Sequence, residues 1–329
     1  MAGFVCIAER EKIILIESGL FRRIKIMQGK GIWIGLVICW LIAGCGGGGN
    51  KSPQETPLSG TINISVDESF RPVIDSEIKV FESSYPDAKI VPHYKAEAQC
   101  LRDLTTDTTR MALVTRGLTE QEEKFYLDSF HMEPVFGPLA YDAIAIIVNN
   151  RSADSIFEIK DLQDMLNGTD TRHQVVMDGV SATSTVRYAI DSILRGRPLA
   201  KTVAAARSSE GVLDYVAKNE NAVGFIGVSW IGDQQDPKQL TWLKSVNVAA
   251  IRCTSCGGPT YVKPYQANIA LKRYPLVRSL YYILKENFSG VGSSFVNFLQ
   301  YERGQLIFRR AYLWPSQMSF DVRDTQISQ

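Results

Sequence analysis

At 329 residues the chain is long enough for two ordinary domains with sizeable cores. Its 45% apolar and 22% charged content are globular averages and exclude a disordered chain. A net charge of +1 without any Lys/Arg run excludes the electrostatic footprint of a nucleic-acid binder, and three His in no ligand-like spacing argue against a catalytic zinc site.

Residues 32–43 (IWIGLVICWLIA) form an apolar run too short for a comfortable permanent membrane span, with Lys30 before it. The run leads into Ile42-Ala43-Gly44-Cys45, which resembles the bacterial lipobox, with Cys45 as the lipidated residue. Residues 1–45 are therefore expected to be leader and lipoprotein signal. Residues 46–59, glycine-rich and carrying Pro53 and Pro57, are expected to be a flexible tether. Glu9, Glu11 and Glu17 are foreign to a simple signal n-region, so the natural start is expected at Met27. Cys6 and Cys39 fall in the leader. Cys253-Thr-Ser-Cys256 has no second CxxC and no nearby His, so a local disulfide is expected there in an exported chain, leaving Cys100 single.

Residues 61–66 alternate apolar and polar and predict a strand. Ser69 then stands at a strand-to-helix corner, since Pro72 suits a first helical turn and Val73, Ile74, Ile78 and Phe81 supply a buried face. After Pro86 a strand resumes at 89–91. A third short strand, 111–114, runs into Thr115-Arg116-Gly117, and Thr119 with Glu122 forms a capping box for the next helix. Residues 141–149 (YDAIAIIVN) are the longest strand pattern, and 158–168 read as a helix stopped by Gly168.

The segment 174–196 is the densest in chemistry. Val175, Val176 and Met177 read as a buried strand, Asp178-Gly179 as a turn, and Val186, Ala189, Ile190, Ile193 and Leu194 as the inward face of a helix stopped by Gly196. Between them lie Ser181, Thr183, Ser184 and Thr185, followed by Arg187. One hydroxyl would be an ordinary N-cap. Four in five positions, beside a helix N-terminus and an arginine, are donors suited to a small oxyanion. Ser208 and Ser209 open another helix through Asn219, and 222–227 (AVGFIG) is a glycine-flanked strand. Helices are expected over 276–286 and about 293–310, with Tyr281, Tyr282, Phe288, Phe295 and Phe298 in the core and Trp230 and Trp242 flanking a lobe interface. Three strands thus end in hydroxyls or arginine just before a helix, and ligands of open α/β sheets bind outside such strand ends.

Taken in order, Ser69-Phe70, Thr115-Arg116 with Glu122, YDAIAIIVN, FEIKDLQDMLNG, SATSTVR, AVGFIG and YPLVRSLYYI with GQLIF resemble the periplasmic phosphate-binding protein family, the substrate-binding proteins of ABC importers. The resemblance runs from about residue 60 to 315. It implies an α/β fold of the type II periplasmic binding protein kind: two lobes, each a mixed sheet flanked by helices, joined by two crossover strands. Residues 60–141 and 263–329 would form lobe 1, and 142–262 lobe 2. It implies a dehydrated phosphate held by Ser69, Phe70, Thr115, Arg116, Ser181, Ser184, Thr185 and Arg187, with Asp178 orienting an arginine or accepting a proton. It also implies a monomer without catalysis, cofactor or metal. Such a protein captures phosphate or a similar tetrahedral oxyanion, delivers it to an importer permease, and is lipid-anchored in the bacterial envelope facing the periplasm.

Two departures stand out. The family's Ser-Gly-Thr glycine is absent from Ser181-Ala182-Thr183-Ser184-Thr185, and Arg110 and Arg116 occupy the neighbourhood where many members carry an acidic proton acceptor. Discrimination of phosphate from sulfate would then fall to Asp67, Glu68 or Asp178, because an unpaired ligand O–H is costly. A sensor or envelope-assembly role on the same fold is the main alternative. A hydrolase using Ser184 as nucleophile is a lesser one: the chain has no G-x-S-x-G, and His93, His131 and His173 lie in no recognisable arrangement.

Overall fold

The computed structural model describes residues 55–179 and 182–317. The leader, Cys45, most of the tether and Ser181 lie outside the described residues. The first part of the chain runs β1 (Gly60–Asp67), a single 3-10 turn (Glu68–Phe70), α1 (Arg71–Ser84), β2 (Ala88–Lys95), α2 (Glu97–Asp103), β3 (Thr109–Val114), α3 (Glu120–Phe130) and β4 (Val135–Asn149). The middle continues with β5 (Ile156–Phe157), α4 (Ile159–Asn167), β6 (Gln174–Met177), α5 (Ser184–Tyr188, prolonged by a π-helical stretch), β7 (Ala204–Ala205), α6 (Ser209–Lys218) and β8 (Ala222–Gly227). Then come α7 (Pro237–Trp242), β9 (Val246–Val248), β10 (Ala250–Arg252), β11 (Tyr261–Val262), α8 (Gln266–Ala270) and β12 (Val277–Leu284). The last elements are α9 (Val291–Gln300), α10 (Glu302–Arg310) and β13 (Trp314–Pro315).

One sheet carries ten of the strands, in the order β2-β1-β3-β12-β4-β8-β6-β7, with β9 and β13 also paired to β4. β1 is parallel to β2 and β3, and β6 is parallel to β7 and β8. The antiparallel pair β12–β4 joins the two parallel groups. β4 passes from one group to the other: residues 135–143 face β12, while 144–148 face β8. The carboxyl ends of β1, β3 and β6 are followed by Ser69, Thr115 and Ser184 respectively, all three buried, so the expected corners are built.

Local signals explain most elements. Thr119 and Glu122 make the reciprocal capping box of α3, Thr183 and Ser208 cap α5 and α6 through their hydroxyls, and Gly168 ends α4 in the left-handed region. Cys253 and Cys256 form a disulfide, and Cys100 is free and buried. Among the described residues no helix is long and apolar enough to cross a membrane.

Two expectations are corrected. Residues 276–286 are not a helix: 277–284 form β12, hydrogen-bonded to β3 on one side and β4 on the other. The segment is rich in β-branched and aromatic residues, and pairing on both edges outweighs its helix-like spacing. The expected helix at 293–310 is two helices, broken where Tyr301 is extended at ψ 174°. Gly304 lets them meet, since a Cβ there would lie 2.4 Å from the Phe298 carbonyl oxygen. Of the aromatics expected in the core, Tyr282, Phe295 and Phe298 are buried, whereas Phe288 is 46% exposed.

α1 packs Val73, Ile74, Ile78 and Phe81 inward, and Phe81 meets Phe295 and Phe298 of α9 edge-on at 5.1 and 5.5 Å. On the same face Glu77 is fully buried, and neither carboxyl oxygen has a hydrogen-bond partner among the described residues. Burial alone pushes this carboxyl well above its ordinary 4.5. A raised folded pKa means that Glu77 costs no ionisation energy below the unfolded pKa, and that stability falls as pH rises above it toward the folded pKa. Glu77→Met should therefore stabilise the fold at neutral pH by about 1–3 kcal/mol, with the gain shrinking below pH ~4.5. Urea unfolding at both pH values checks this, and an equal gain at the two would contradict the buried-acid account.

Candidate functional site

The site is organised by a residue on β12. Arg278 stands opposite Asp142 in the β12–β4 register, and its Nε donates to Asp142 Oδ2 at 2.8 Å. Both side chains are essentially inaccessible to solvent, at 3% and 0% exposure. The two remaining guanidinium nitrogens point at two corners: Nη2 donates to Ser69 Oγ at 2.9 Å and Nη1 to Ser184 Oγ at 2.8 Å. The Phe70 ring lies 5.0 Å from the guanidinium carbon, a cation–π contact. Gly227, at the end of β8, leaves room for this: a Cβ there would come within 3.1 Å of both Arg278 Nη2 and the Ser69 carbonyl oxygen. Trp230 Nε1 donates to that carbonyl at 3.0 Å, closing the site from the β8 side.

Carboxylates surround the hydroxyls. Asp67 caps the turn after β1, with Oδ1 accepting from Ser69 N–H at 2.9 Å and from Ser69 Oγ at 2.7 Å. Its Oδ2 is buried without a hydrogen-bond partner among the described residues. Asp178 accepts from Thr183 Oγ1 at 2.9 Å and Thr185 Oγ1 at 3.1 Å. Burial, and then the charge of Asp67, pushes the Asp178 carboxyl up to about 7. Burial likewise raises Asp67. Burial works against the charge on Arg278, but Asp142 and Asp67 more than offset it, and the guanidinium stays ionised.

The predicted residues divide into groups. Ser69, Phe70, Ser184, Thr185 and Asp178 come together around Arg278. Thr115 and Arg187 meet in an adjoining cluster on Glu97: Arg187 Nε donates to Glu97 Oε2 at 2.6 Å and its Nη2 to Thr115 Oγ1 at 2.6 Å. Arg116 turns aside to a bidentate pair with Glu122 at 2.7 and 2.8 Å, reinforcing the capping box. Ser181 is outside the described residues. The Ser184 hydroxyl meets Arg278 and Ser69, and no His hydrogen-bonds to it among the described residues; His173 sits instead between Asp170 and Asp154. No group of three or more His, Cys, Asp or Glu among the described residues is arranged to hold a metal ion.

Arg278, Asp142 and Glu97 are absent from the site as read in sequence. The charges of Asp142, inside the strand pattern 141–149, and of Arg278, inside an apolar segment, were the available signal, because a charge is buried only when it is paired.

A family model for the PBP superfamily domain matches residues 51–303. The chain belongs to the PBP superfamily. Solved structures agree in fold. A candidate phosphate ABC transporter substrate-binding protein from Clostridium perfringens, with bound phosphate, aligns at TM-score 0.64 and 20% identity, covering 78% of this chain and 99% of that one. An ABC-type phosphate transport receptor from Vibrio cholerae gives 0.56 and 20% over 78% and 100%. A candidate phosphate-binding protein from Planctomyces limnophilus gives 0.53 and 15% over 78% and 93%. No curated protein sequence matches the chain. At these identities the likeness is one of fold, and the PBP-superfamily chain has the type II architecture: a curled mixed sheet flanked by helices.

Two outcomes are expected. Arg278→Leu leaves Asp142 buried and unpaired and should cost about 3–5 kcal/mol in denaturant unfolding, with the Arg278→Leu/Asp142→Leu double variant costing less than the sum of the singles. Asp178 has a folded pKa above its unfolded 3.8, so stability should decline as pH rises from about 4 through 7. Asp178→Asn should flatten that part of the melting-temperature profile; an unchanged slope would remove Asp178 as its source.

Proposed function

We propose that this PBP-superfamily protein is a solute-binding protein that captures inorganic phosphate between two lobes and delivers it to an ABC importer, catalysing nothing. The proposed lobes are residues 60–141 with 263–329, and 142–262. The family, and structural neighbours described as phosphate-binding, support the reading. So does the convergence of Ser69, Ser184 and Thr185 on one buried guanidinium. Short hydroxyl donors and a fixed arginine are what a dehydrated oxyanion needs, because each of its oxygens must find a partner. Anchoring through Cys45, in a cell envelope facing the periplasm, completes the proposal, with an importer permease as partner and the protein itself a monomer.

The observation that carries phosphate in particular is Asp67. Its Oδ2 is buried and without a hydrogen-bond partner among the described residues, while its Oδ1 accepts from the Ser69 hydroxyl. A hydrogen phosphate can share its proton with such a carboxyl, whereas sulfate brings no proton. Asp67 and Asp178 thereby supply acidic groups beside the hydroxyls gathered around Arg278.

Calorimetric titration of ligand-stripped protein with phosphate and then sulfate tests this. Phosphate should bind and sulfate should not. Ser184→Ala should weaken phosphate binding about tenfold or more, and Asp67→Asn should narrow the gap between the two anions. No heat with either anion would point to a non-transport role on the same fold.

A further inference from the structure

Glu97, the first residue of α2 at the corner that follows β2, is 2% exposed, yet it belongs to none of the hydroxyl-rich corners. Its carboxylate collects four donor contacts. The Thr115 backbone N–H reaches Oε1 at 2.9 Å and the Thr115 hydroxyl reaches the same oxygen. Arg187 adds Nε to Oε2 at 2.6 Å and Nη2 to Oε1 at 3.3 Å. These are the donors that the corners after β3 and β6 offer to an oxyanion. Burial opposes ionisation of Glu97, but Arg187 and Thr115 outweigh it and hold the carboxyl below its ordinary range, so it meets them as an anion.

We propose that Glu97 is a tethered occupant of the oxyanion site, engaging Thr115 and Arg187 until the ligand displaces it. This rests on the oxyanion reading above. Charge supports it: Glu97 neutralises Arg187 as Asp142 neutralises Arg278, so the closed site offers an entering anion no net positive charge until Glu97 leaves. Space supports it too. A cavity of about 290 Å³ adjoins the pair, with Leu101, Val186 and Ile190 as well as Arg116 and Asp191 in its lining, and it leaves room for the Glu97 side chain to swing aside, toward Arg116. The backbone links the two segments as well: Ala98 N–H donates to Ala182 O at 3.1 Å and ties the first turn of α2 to the residue ahead of the α5 cap.

The competing role is that Glu97 merely positions Arg187 and Thr115. The two roles predict opposite signs. Phosphate titration of the full-length wild type, Glu97→Ala and Glu97→Gln separates them, with thermal unfolding as the control for folding. Removal of a tethered competitor should tighten phosphate binding by about tenfold or more in Glu97→Ala, with Glu97→Gln in the same direction. Unchanged or weaker binding in folded variants overturns the proposal. If Glu97→Ala fails to fold, Glu97→Gln alone decides by the same sign. If wild type and variants bind neither phosphate nor sulfate, it is the oxyanion reading that fails; if the wild type binds phosphate and the variants bind no tighter, only the tethered occupant is refuted.

Discussion

The ion pair between Arg278 and Asp142 holds the corners of this fold together. Both groups are buried, and removing a guanidinium and a carboxylate from water costs several kcal/mol per ion, in the sense of an effective penalty. The pair persists because every nitrogen of the guanidinium is engaged, one on Asp142, one toward Ser69 and one toward Ser184. Asp142 and Arg278 are direct cross-strand neighbours on β4 and β12, the two strands between the parallel groups. The corners after β1 and β6 are therefore held to a common centre by a residue that belongs to neither. Phe70 against the guanidinium and Gly227 beside it are the packing conditions for that geometry.

Around this single cation the chain gathers an excess of acid. Asp67, Asp142 and Asp178 all lie within the buried cluster, and Glu68 reaches across to the Ser209 N–H and hydroxyl at the start of α6. Burial is the main reason that Asp67 and Asp178 are raised, and neighbouring carboxylates add to it, Glu97 beside Asp67 and Asp67 beside Asp178. The donors typical of an oxyanion receptor are present, but acidic side chains of the same chain already engage them: Ser69 on Asp67, Thr185 on Asp178, Thr115 and Arg187 on Glu97. A protonated oxyanion is compatible with such surroundings. A fully ionised one meets uncompensated negative charge.

Polar contacts join distant segments of the chain around the cluster. Glu68 to Ser209, Glu97 to Arg187 and the Ser69 carbonyl to Trp230 each join residues before 116 to residues after 182. These hydrogen bonds accompany a continuous apolar cluster that holds residues of both segments, Phe70 and Val228 among them.

Local features were legible in the amino-acid sequence alone. The strands at 61–66, 111–114, 141–149, 175–177 and 222–227, the capping box at Thr119 and Glu122, the stop at Gly168 and the hydroxyl cap before α5 follow from spacing and side-chain chemistry within a few residues. The short Cys253–Cys256 disulfide is of the same kind. Which donors meet which acids was settled by tertiary packing. Arg278 lies 136 residues from Asp142 and 94 from Ser184, and Arg187 lies 90 from Glu97, separations at which no periodicity carries information. The segment holding Arg278 has helix-like spacing, and its strand identity comes from hydrogen bonds on both edges to β3 and β4. Arg116 shows the converse: it sits beside Thr115 in sequence, yet a glutamate six residues on captures its guanidinium. Burial explains the difference, since a charge inside the sheet is placed by its distant partner, whereas a half-exposed one settles on the nearest carboxylate.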